Sequence, residues 1–553
     1  MPLTSSFLRT LSPSYAIDNM SLATLPSLPL FLEARKHASA NPNKLAVIDT
    51  TKGQQFTFVQ LLADAAALKK RILEELDLTG TGDLEERRVA YLVPNGYDYV
   101  VTQWAVWAAG GVSVPLCTSH PVQELLYTIG DSDPSLLILH PTFSKVETPL
   151  REGSLNSTRT FMTLTPFTQA VDSAAAQLPE FTETSFPDRR ALMIYTSGTT
   201  STPKGCVTTH KTIAFQAQSL IEAWKYEPSD HLIHVLPLHH IHGIINGLTA
   251  TLLSGATVEM HPKFDPATIW TRWQTQGSST MFFAVPTIYS RLVDYFETHI
   301  RGTEQETAAR EGASTLRLLV SGSAALPTPI KTKFAAITGQ TLLERYGMTE
   351  IGMGLSCGLE TAKRIDGSVG WPLPGVQVRL TDKETGAVVD AVRVDGMIEV
   401  KGDNVFSEYW RRPEATAKEF TADGWFKTGD VAQRDENGAY FIQGRASVDI
   451  IKSGGYKISA LEVERKLLAL DEVEEVAVVG IADEEWGQRV AAVVKQRAGT
   501  ELLELQSLRA RLKQEMAPYK IPTVLKLVDG IERNAMGKVN KKTVVQKYWP
   551  DLA

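Results

Sequence analysis

The chain has 553 residues, more than one hydrophobic core usually spans, so at least two domains are expected. An apolar fraction of 43% with 22% charged residues excludes a largely disordered chain. A net charge of -7 without a block of Lys or Arg excludes nucleic acid as the main partner, because phosphate binding needs clustered cations, and leaves a small substrate as the better fit. Cys117, Cys206 and Cys357 are widely spaced and form no C-x-x-C pair. They suit neither a disulfide framework nor a zinc site and read as ordinary buried thiols of a reducing compartment. No stretch reaches the roughly 18 apolar residues of a membrane span; residues 243–258 come nearest and are broken by Asn246, Thr249 and Ser254.

Residues 1–27 hold Thr4, Ser5, Ser6, Arg9, Ser12 and Ser14 with no acid before Asp18. That composition suits a short mitochondrial presequence or a plain disordered tail, so the compartment stays open between mitochondrial and cytoplasmic. From residue 28 amphipathic helical stretches such as Phe58–Glu75 alternate with short apolar runs at residues 89–93, 136–139 and 191–195. The alternation predicts an α/β fold of layered, largely parallel sheets and helices. After Trp371 come short alternating strands at residues 376–380 and 396–401, punctuated by Gly and Asp turns, which predict a β-rich subdomain. A last block from residue 447 has its own pattern: helix at 460–468, strands at 476–479 and 490–494, helix at 505–515. It is long enough to form a small α+β domain, giving an expected division into residues 28–446 and 447–553.

The strongest local signal follows an apolar strand: Tyr195-Thr196-Ser197-Gly198-Thr199-Thr200-Ser201-Thr202-Pro203-Lys204-Gly205. Glycine lets the backbone bend close to an anion, hydroxyls and amides donate to phosphate oxygens, and Lys204 adds charge, so the run reads as a phosphate cradle. It is not a Walker A loop, since Pro203 replaces the second glycine and Gly205 follows the lysine. Further on, Tyr346-Gly347-Met348-Thr349-Glu350 offers a hydroxyl and a hard carboxylate oxygen suited to phosphate and Mg²⁺. Trp425-Phe426-Lys427-Thr428-Gly429-Asp430 puts an acid on a tight turn, where it could accept ribose hydroxyls. Gly444-Arg445 closes a strand, Ser453-Gly454-Gly455-Tyr456 makes a glycine turn, and Asn534-Ala535-Met536-Gly537-Lys538 presents a lysine on a glycine loop. Each alone has a bland reading as a turn, a surface loop or a basic tail.

Taken in order, these motifs resemble the superfamily of adenylate-forming enzymes: acyl-CoA synthetases, peptide-synthetase adenylation domains and firefly-type luciferases. The resemblance covers nearly all of the chain after residue 28. It implies an acid–thiol ligase that uses ATP, Mg²⁺ and coenzyme A, with a small C-terminal domain turning about a hinge near Arg445. By the same resemblance Thr196 to Lys204, with Ser197, Gly198, Thr199, Thr200, Ser201, Thr202 and Pro203 between, wrap the pyrophosphate. Thr349 contacts phosphate, Glu350 holds the metal, and Asp430 with Arg445 fixes the ribose. Gly322, Ser323, Ala324, Glu344, Arg345, Tyr346 and Gly347 line the adenine pocket. Lys538 serves the adenylation step, and Ser453, Gly454, Gly455 and Tyr456 flank pantetheine. One departure is visible: Ala446-Ser447-Val448-Asp449 carries an extra residue, leaving Ser447 and Val448 as alternative pivots.

The run from His231 to Gly243 contains His231, His234, His239, His240 and His242. It reads as a strand entering a loop, without carboxylate or thiol partners and with no usual metal-ligand spacing. By family analogy it borders the acyl pocket, where His242 would orient the acid. Residues 262–265, 285–292 and 321–327 are similar to the corresponding segments of malonyl-CoA synthetases. A diacid leaves a second carboxylate to neutralise after the first is activated, and Arg291 is the candidate partner, with a solvent-facing helical arginine as its bland alternative. Malonate, methylmalonate or a larger polycarboxylate is therefore the first choice of substrate. Medium-chain fatty or aryl acids, a carrier protein loaded in trans, and a catalytically silent nucleotide-binding protein are the rivals.

Overall fold

The structure is a computed structural model that describes residues 23–153, 159–168, 177–196, 203–275, 279–533 and 538–552. The expectations placed on the N-terminal 22 residues and on Ser197, Gly198, Thr199, Thr200, Ser201 and Thr202 lie outside the described residues.

Two large sheets organise most of the chain. One runs Glu408–Tyr409, Lys204–Thr209, Arg190–Thr196, Val112–Pro115, Arg88–Leu92, Leu136–Leu139, Thr160–Thr163, parallel from the third strand onward. The other has nine strands, with Leu343–Met348, Leu318–Ser321, Met281–Ala284, His231–His234, Thr257–Met260 and Leu45–Asp49 parallel at its centre and antiparallel strands at both edges. Leu136–Leu139 and Met281–Ala284 are buried at every position, so neither strand alternates. Unbroken apolar runs are what a parallel sheet covered by helices on both faces demands. Helix Phe58–Glu75 starts where the Thr57 side chain accepts from the Gln60 N–H at 3.2 Å, and His210–Trp224 starts on Thr209 in the same way at 3.1 Å. Buried Trp107 and Trp224 keep their indole N–H groups satisfied, on the Ala191 carbonyl at 2.7 Å and the Ser356 hydroxyl at 2.9 Å.

The β-rich region is a four-stranded antiparallel sheet in the order Gln377–Thr381, Gly396–Lys401, Phe426–Arg434, Tyr440–Arg445. The last sheet centres on the pair Val473–Asp483 and Gly487–Gln496. Its side chains divide by strict alternation: Val476 and Val478 pack with Val463, Leu467 and Leu508, whereas Ala477 and Val479 pack with Val544. One face therefore carries helices Ala460–Leu468 and Leu505–Leu512, and the other carries Lys541–Tyr548.

The joint between the β-rich sheet and this last unit is a turn over residues 446–449, which contains both candidate pivots, Ser447 and Val448. The Arg445 N–H donates to the Asp449 carboxylate at 3.0 Å, and Lys541 bridges Asp449 and Glu464 at 2.6 and 2.8 Å. Ser459 caps helix Ala460–Leu468, accepting from the Glu462 N–H at 3.1 Å, and its hydroxyl donates to the Gln443 carbonyl. One side chain thus both starts a helix and ties it across the joint. Ser459→Ala is expected to cost about 1 kcal/mol, the usual loss of a capping hydroxyl, and to raise amide exchange within residues 460–468 first. Unchanged exchange there would show that the cap contributes nothing.

Candidate active site

The site forms where strand ends and turns from several elements meet. Thr196 and Lys204 face each other across an antiparallel pair, which pins both ends of the cradle loop, and the Tyr127 hydroxyl donates to the Pro203 carbonyl at 2.7 Å. Lys204 lies over the Tyr409 ring at 4.8 Å, and the Tyr409 hydroxyl donates to the Glu350 carboxylate at 2.8 Å. Thr349 and Glu350 occupy the turn between Leu343–Met348 and Gly352–Ser356, with the Glu350 carbonyl accepting from the Phe406 N–H at 2.7 Å. At Gly347 a Cβ would lie 2.1 Å from the Gly352 carbonyl oxygen, so the tight pairing that aims this turn requires glycine.

Asp430 and Arg445 stand directly opposite in their antiparallel pair, 3.3 Å apart, and the Tyr346 hydroxyl donates to the other Asp430 oxygen at 2.6 Å. Burial raises the pKa of Asp430, opposed by Arg445 and Tyr346, and burial likewise raises that of Glu350, opposed by Tyr409 and then Arg445. Lys538 is solvent-exposed as a residue, yet desolvation at its ammonium, reinforced by Arg445 and Arg345, lowers its pKa against the pull of Asp430 and Glu350. The Lys538 ammonium therefore lies close enough to this cleft to share its charges. Two buried acids confront Arg345, Arg445 and Lys538, a surplus of fixed positive charge suited to an anionic ligand.

Arg345 is 4% exposed, and its one described hydrogen bond runs from Nη2 to the Ser323 hydroxyl at 3.2 Å; its Nε–H has no partner among the described residues. Desolvation alone brings its pKa down to about 9. Gly322 makes room for it, since a Cβ there would sit 2.4 Å from Arg345 Nε, and Ser323 adopts a left-handed φ of 71° beside exposed Ala324. The imidazole of His242 is buried, held neutral by desolvation and then by Arg345, and neither ring nitrogen has a described partner. Glu344 is engaged from behind by Lys331 at 2.9 Å, and burial raises its pKa to about 7.

The remaining expected residues stand apart. Gly454 and Gly455 have φ of 54° and 79°, the paired left-handed turn that closes a tight hairpin, with Ser453 buried and Tyr456 half exposed, stacked on Tyr519 at 4.0 Å. Arg291 is exposed on helix Pro286–Tyr295, its guanidinium 5.0 Å from the Phe264 ring. One reading of the sequence needs correction. His231 does have a carboxylate partner, Glu259 at 2.9 Å, which also takes His261 and Arg272. The signal was the lone acid in the apolar strand Thr257–Met260.

A cleft that gathers a lysine-bearing hairpin, a paired acid and arginine, a second buried carboxylate and a C-terminal lysine has the make-up of an adenylate-forming enzyme. Residues 34–410 match the AMP-binding enzyme family and residues 462–538 its C-terminal domain, and the chain belongs to this family. It is an AMP-forming acid–thiol ligase. It is 42% identical to the mitochondrial malonate–CoA ligase of Mus musculus, over 95% of this chain and 91% of the relative. The crystal structure of ATP-bound MatB from Rhodopseudomonas palustris is 33% identical and superposes with a TM-score of 0.81 over 94% of this chain and 99% of that one. A malonyl-CoA ligase in ternary product complex with methylmalonyl-CoA and AMP, also 33% identical, superposes at 0.61 over 89% and 97%. At equal identity the chain's arrangement is the one nearer to the ATP-bound structure, in accord with Lys538 lying in the cleft.

Gly347→Ala is expected to displace the Thr349–Glu350 turn and lower acid-dependent ATP consumption about 100-fold, the usual cost of an ångström's misplacement of reacting groups, with little change in the far-ultraviolet spectrum. Activity within twofold of the unaltered protein would show that the turn tolerates the shift.

Proposed function

We propose that the enzyme activates a small dicarboxylic acid of the malonate or methylmalonate type and passes the acyl group to coenzyme A. The observation that carries this reading is Arg345, a buried guanidinium that no carboxylate neutralises among the described residues. A buried cation without a counter-ion is costly, and a second carboxylate on the substrate offsets that cost with bidentate hydrogen bonds. A fatty or aryl acid would leave the charge unpaired. Neutral His242 beside it offers one ring nitrogen to the same ligand, and the malonate named for the mouse and product-complex relatives supports the choice. Arg291, over Phe264 and close enough to Asp265 to act on its charge, is a second candidate for the distal carboxylate.

In the first step a carboxylate oxygen attacks the α-phosphorus of ATP and pyrophosphate leaves. Two anions must meet, so Lys538 and Arg445 supply fixed charge where negative charge accumulates, while Asp430, held by Tyr346 and Arg445, receives the ribose. Glu350 fits a divalent cation, being a buried hard-oxygen donor whose raised pKa would fall on binding one; Mg²⁺ there would neutralise phosphate charge. In the second step the coenzyme A thiol displaces AMP from the adenylate, with the Ser453–Tyr456 hairpin beside the pantetheine arm. The last unit turns about the 446–449 joint between the two steps. The resemblance of residues 1–27 to a presequence, and the mitochondrial relative, favour a mitochondrial location.

Acid-dependent AMP release, measured with malonate, methylmalonate, tricarballylate, octanoate and coumarate, tests the substrate. Arg345→Ala is expected to lower turnover of the diacids about 100-fold or more, the cost of leaving one partner of a buried pair alone, while sparing any monoacid activity; equal loss on every acid would remove the assignment. Lys538→Ala is expected to slow adenylation about 100- to 1,000-fold and leave thioester formation from supplied acyl-adenylate nearly intact. Because the protonated lysine does the work and its pKa is lowered, adenylation should decline with rising pH below the ordinary lysine value of 10.5, and Lys538→Arg should lose that decline. A decline centred at or above 10.5 would contradict the role.

A further inference from the structure

Lys538 stands three residues ahead of helix Lys541–Tyr548, and Arg533 and Val539 pair as a β-bridge on either side of it. Arg533 is held in turn by Glu475 of strand Val473–Asp483 at 2.9 Å, which fixes one end of the Lys538 segment to the sheet. The other end runs through Asn540, whose side-chain oxygen caps the helix by accepting from the Lys542 and Thr543 N–H groups at 3.1 and 3.4 Å. It ends at Lys541, whose ammonium lies 2.6 Å from Asp449 Oδ1 and 2.8 Å from Glu464 Oε1, with all three side chains mostly buried. Glu464 Oε1 also accepts from the Val478 N–H at 2.8 Å. The second Asp449 oxygen, Oδ2, accepts from the Arg445 N–H at 3.0 Å, across both candidate pivots, Ser447 and Val448. Gly444 permits that approach, since a Cβ there would lie 2.4 Å from the Asp449 Cβ. An open cavity of about 490 Å³, lined by Ser447, Val448, Gln488, Val545 and Gln546, lies between the joint and the helix. Apolar packing therefore does not join the two, and the ion cluster spans the gap.

We infer that Lys541 is a positioning residue for acid activation: by bridging Asp449 and Glu464 it anchors the Lys538 segment to the joint and keeps the Asp449–Arg445 bond made across the pivots. Burial pulls the Lys541 pKa down, but Glu464 and Asp449 together hold it above its ordinary value, so the cluster contains a charged ammonium. Glu464 already feels the charge of Asp449. Without Lys541 these two acids would face each other with no cation between them, a costly arrangement that Asp449 relieves by turning away from the Arg445 N–H. The same loss frees the start of the helix. Val544, packed with Ala477 and Val479, still holds the middle of the helix to the sheet, so the unit stays folded while its link to the joint loosens. Arg445 is itself part of the cleft, facing Asp430 at 3.3 Å, so the cluster ties the Lys538 segment to a residue of the site. The effect on activity rests on the function proposed above; the anchoring does not.

The test measures two half-reactions on the full-length protein: malonate-dependent pyrophosphate exchange into ATP, and thioester formation from supplied malonyl-adenylate. Lys541→Met, which keeps the length of the side chain and removes its charge, should lower exchange about 100-fold and leave thioester formation within about threefold. Lys541→Arg, whose guanidinium can reach both carboxylates, should restore exchange to within about fivefold. In a Lys538→Ala background Lys541→Met should cost less than about threefold more, because residues that act as a unit are not additive. Asp449→Asn, a milder change that keeps an acceptor for the Arg445 N–H, should show the same split at about tenfold and serves if Lys541→Met does not fold. Equal loss in both half-reactions, a full further loss in the Lys538→Ala background, or unchanged exchange in both Lys541→Met and Asp449→Asn would overturn the role. Amide hydrogen exchange reads the anchor without any substrate: Lys541→Met should speed it about tenfold at residues 446–449 and 541–545 and leave residues 476–479 and 490–494 unchanged. Unchanged rates at the first two segments would overturn the anchor itself, whereas an unaltered protein inactive with every acid would overturn the proposed function instead.

Discussion

A cluster of cations, more than two buried acids can balance, is the constraint on which the structure depends. Arg345, Arg445 and Lys538 converge on a cleft whose described carboxylates, Asp430 and Glu350, are themselves reluctant to ionise. Such an arrangement is costly in an empty protein and becomes favourable around a nucleotide and an acid. The surrounding architecture serves to hold it. The Asp430–Arg445 pair is built into the register of a β-ladder, Tyr346 and Tyr409 fix the two acids by their hydroxyls, and Gly322 and Gly347 leave the space those side chains need.

One of the three cations comes from a separate part of the chain. Lys538 belongs to a unit with its own apolar clusters, joined to the rest by a turn at residues 446–449 and tied down there by Ser459 and by the Asp449–Lys541–Glu464 cluster. In the proposed mechanism, moving that unit would remove positive charge from the cleft before a second step in which charge leaves with AMP. Tyr456, Trp486 and Tyr519 near the glycine hairpin are half exposed, with Tyr456 stacked on Tyr519.

Much of this was legible in the sequence. Helices Phe58–Glu75 and Ala460–Leu468 and strands Leu136–Leu139 and Gly396–Lys401 have the bounds that period and capping imply, because each carries a complete local signal. That Glu350, Asp430, Arg445 and Lys538 belong to one cleft could be read from the order of short motifs. Arg345 was seen, but as part of an adenine pocket; its lack of a counter-ion is a property of three-dimensional surroundings that no spacing encodes. The Glu259 network was missed for the same reason: His231 and Arg272 come to it from a different strand and a helix. Strand bounds such as Val473–Asp483 run longer than the apolar runs within them, because ladder pairing continues past the buried segment.

The most direct test of the central claim is exchange of labelled pyrophosphate into ATP with malonate present and coenzyme A left out. A cleft that neutralises charge between a carboxylate and the α-phosphate predicts rapid exchange that requires both the acid and Mg²⁺. Absence of exchange with every carboxylic acid supplied, from a folded protein that still binds ATP, would contradict it.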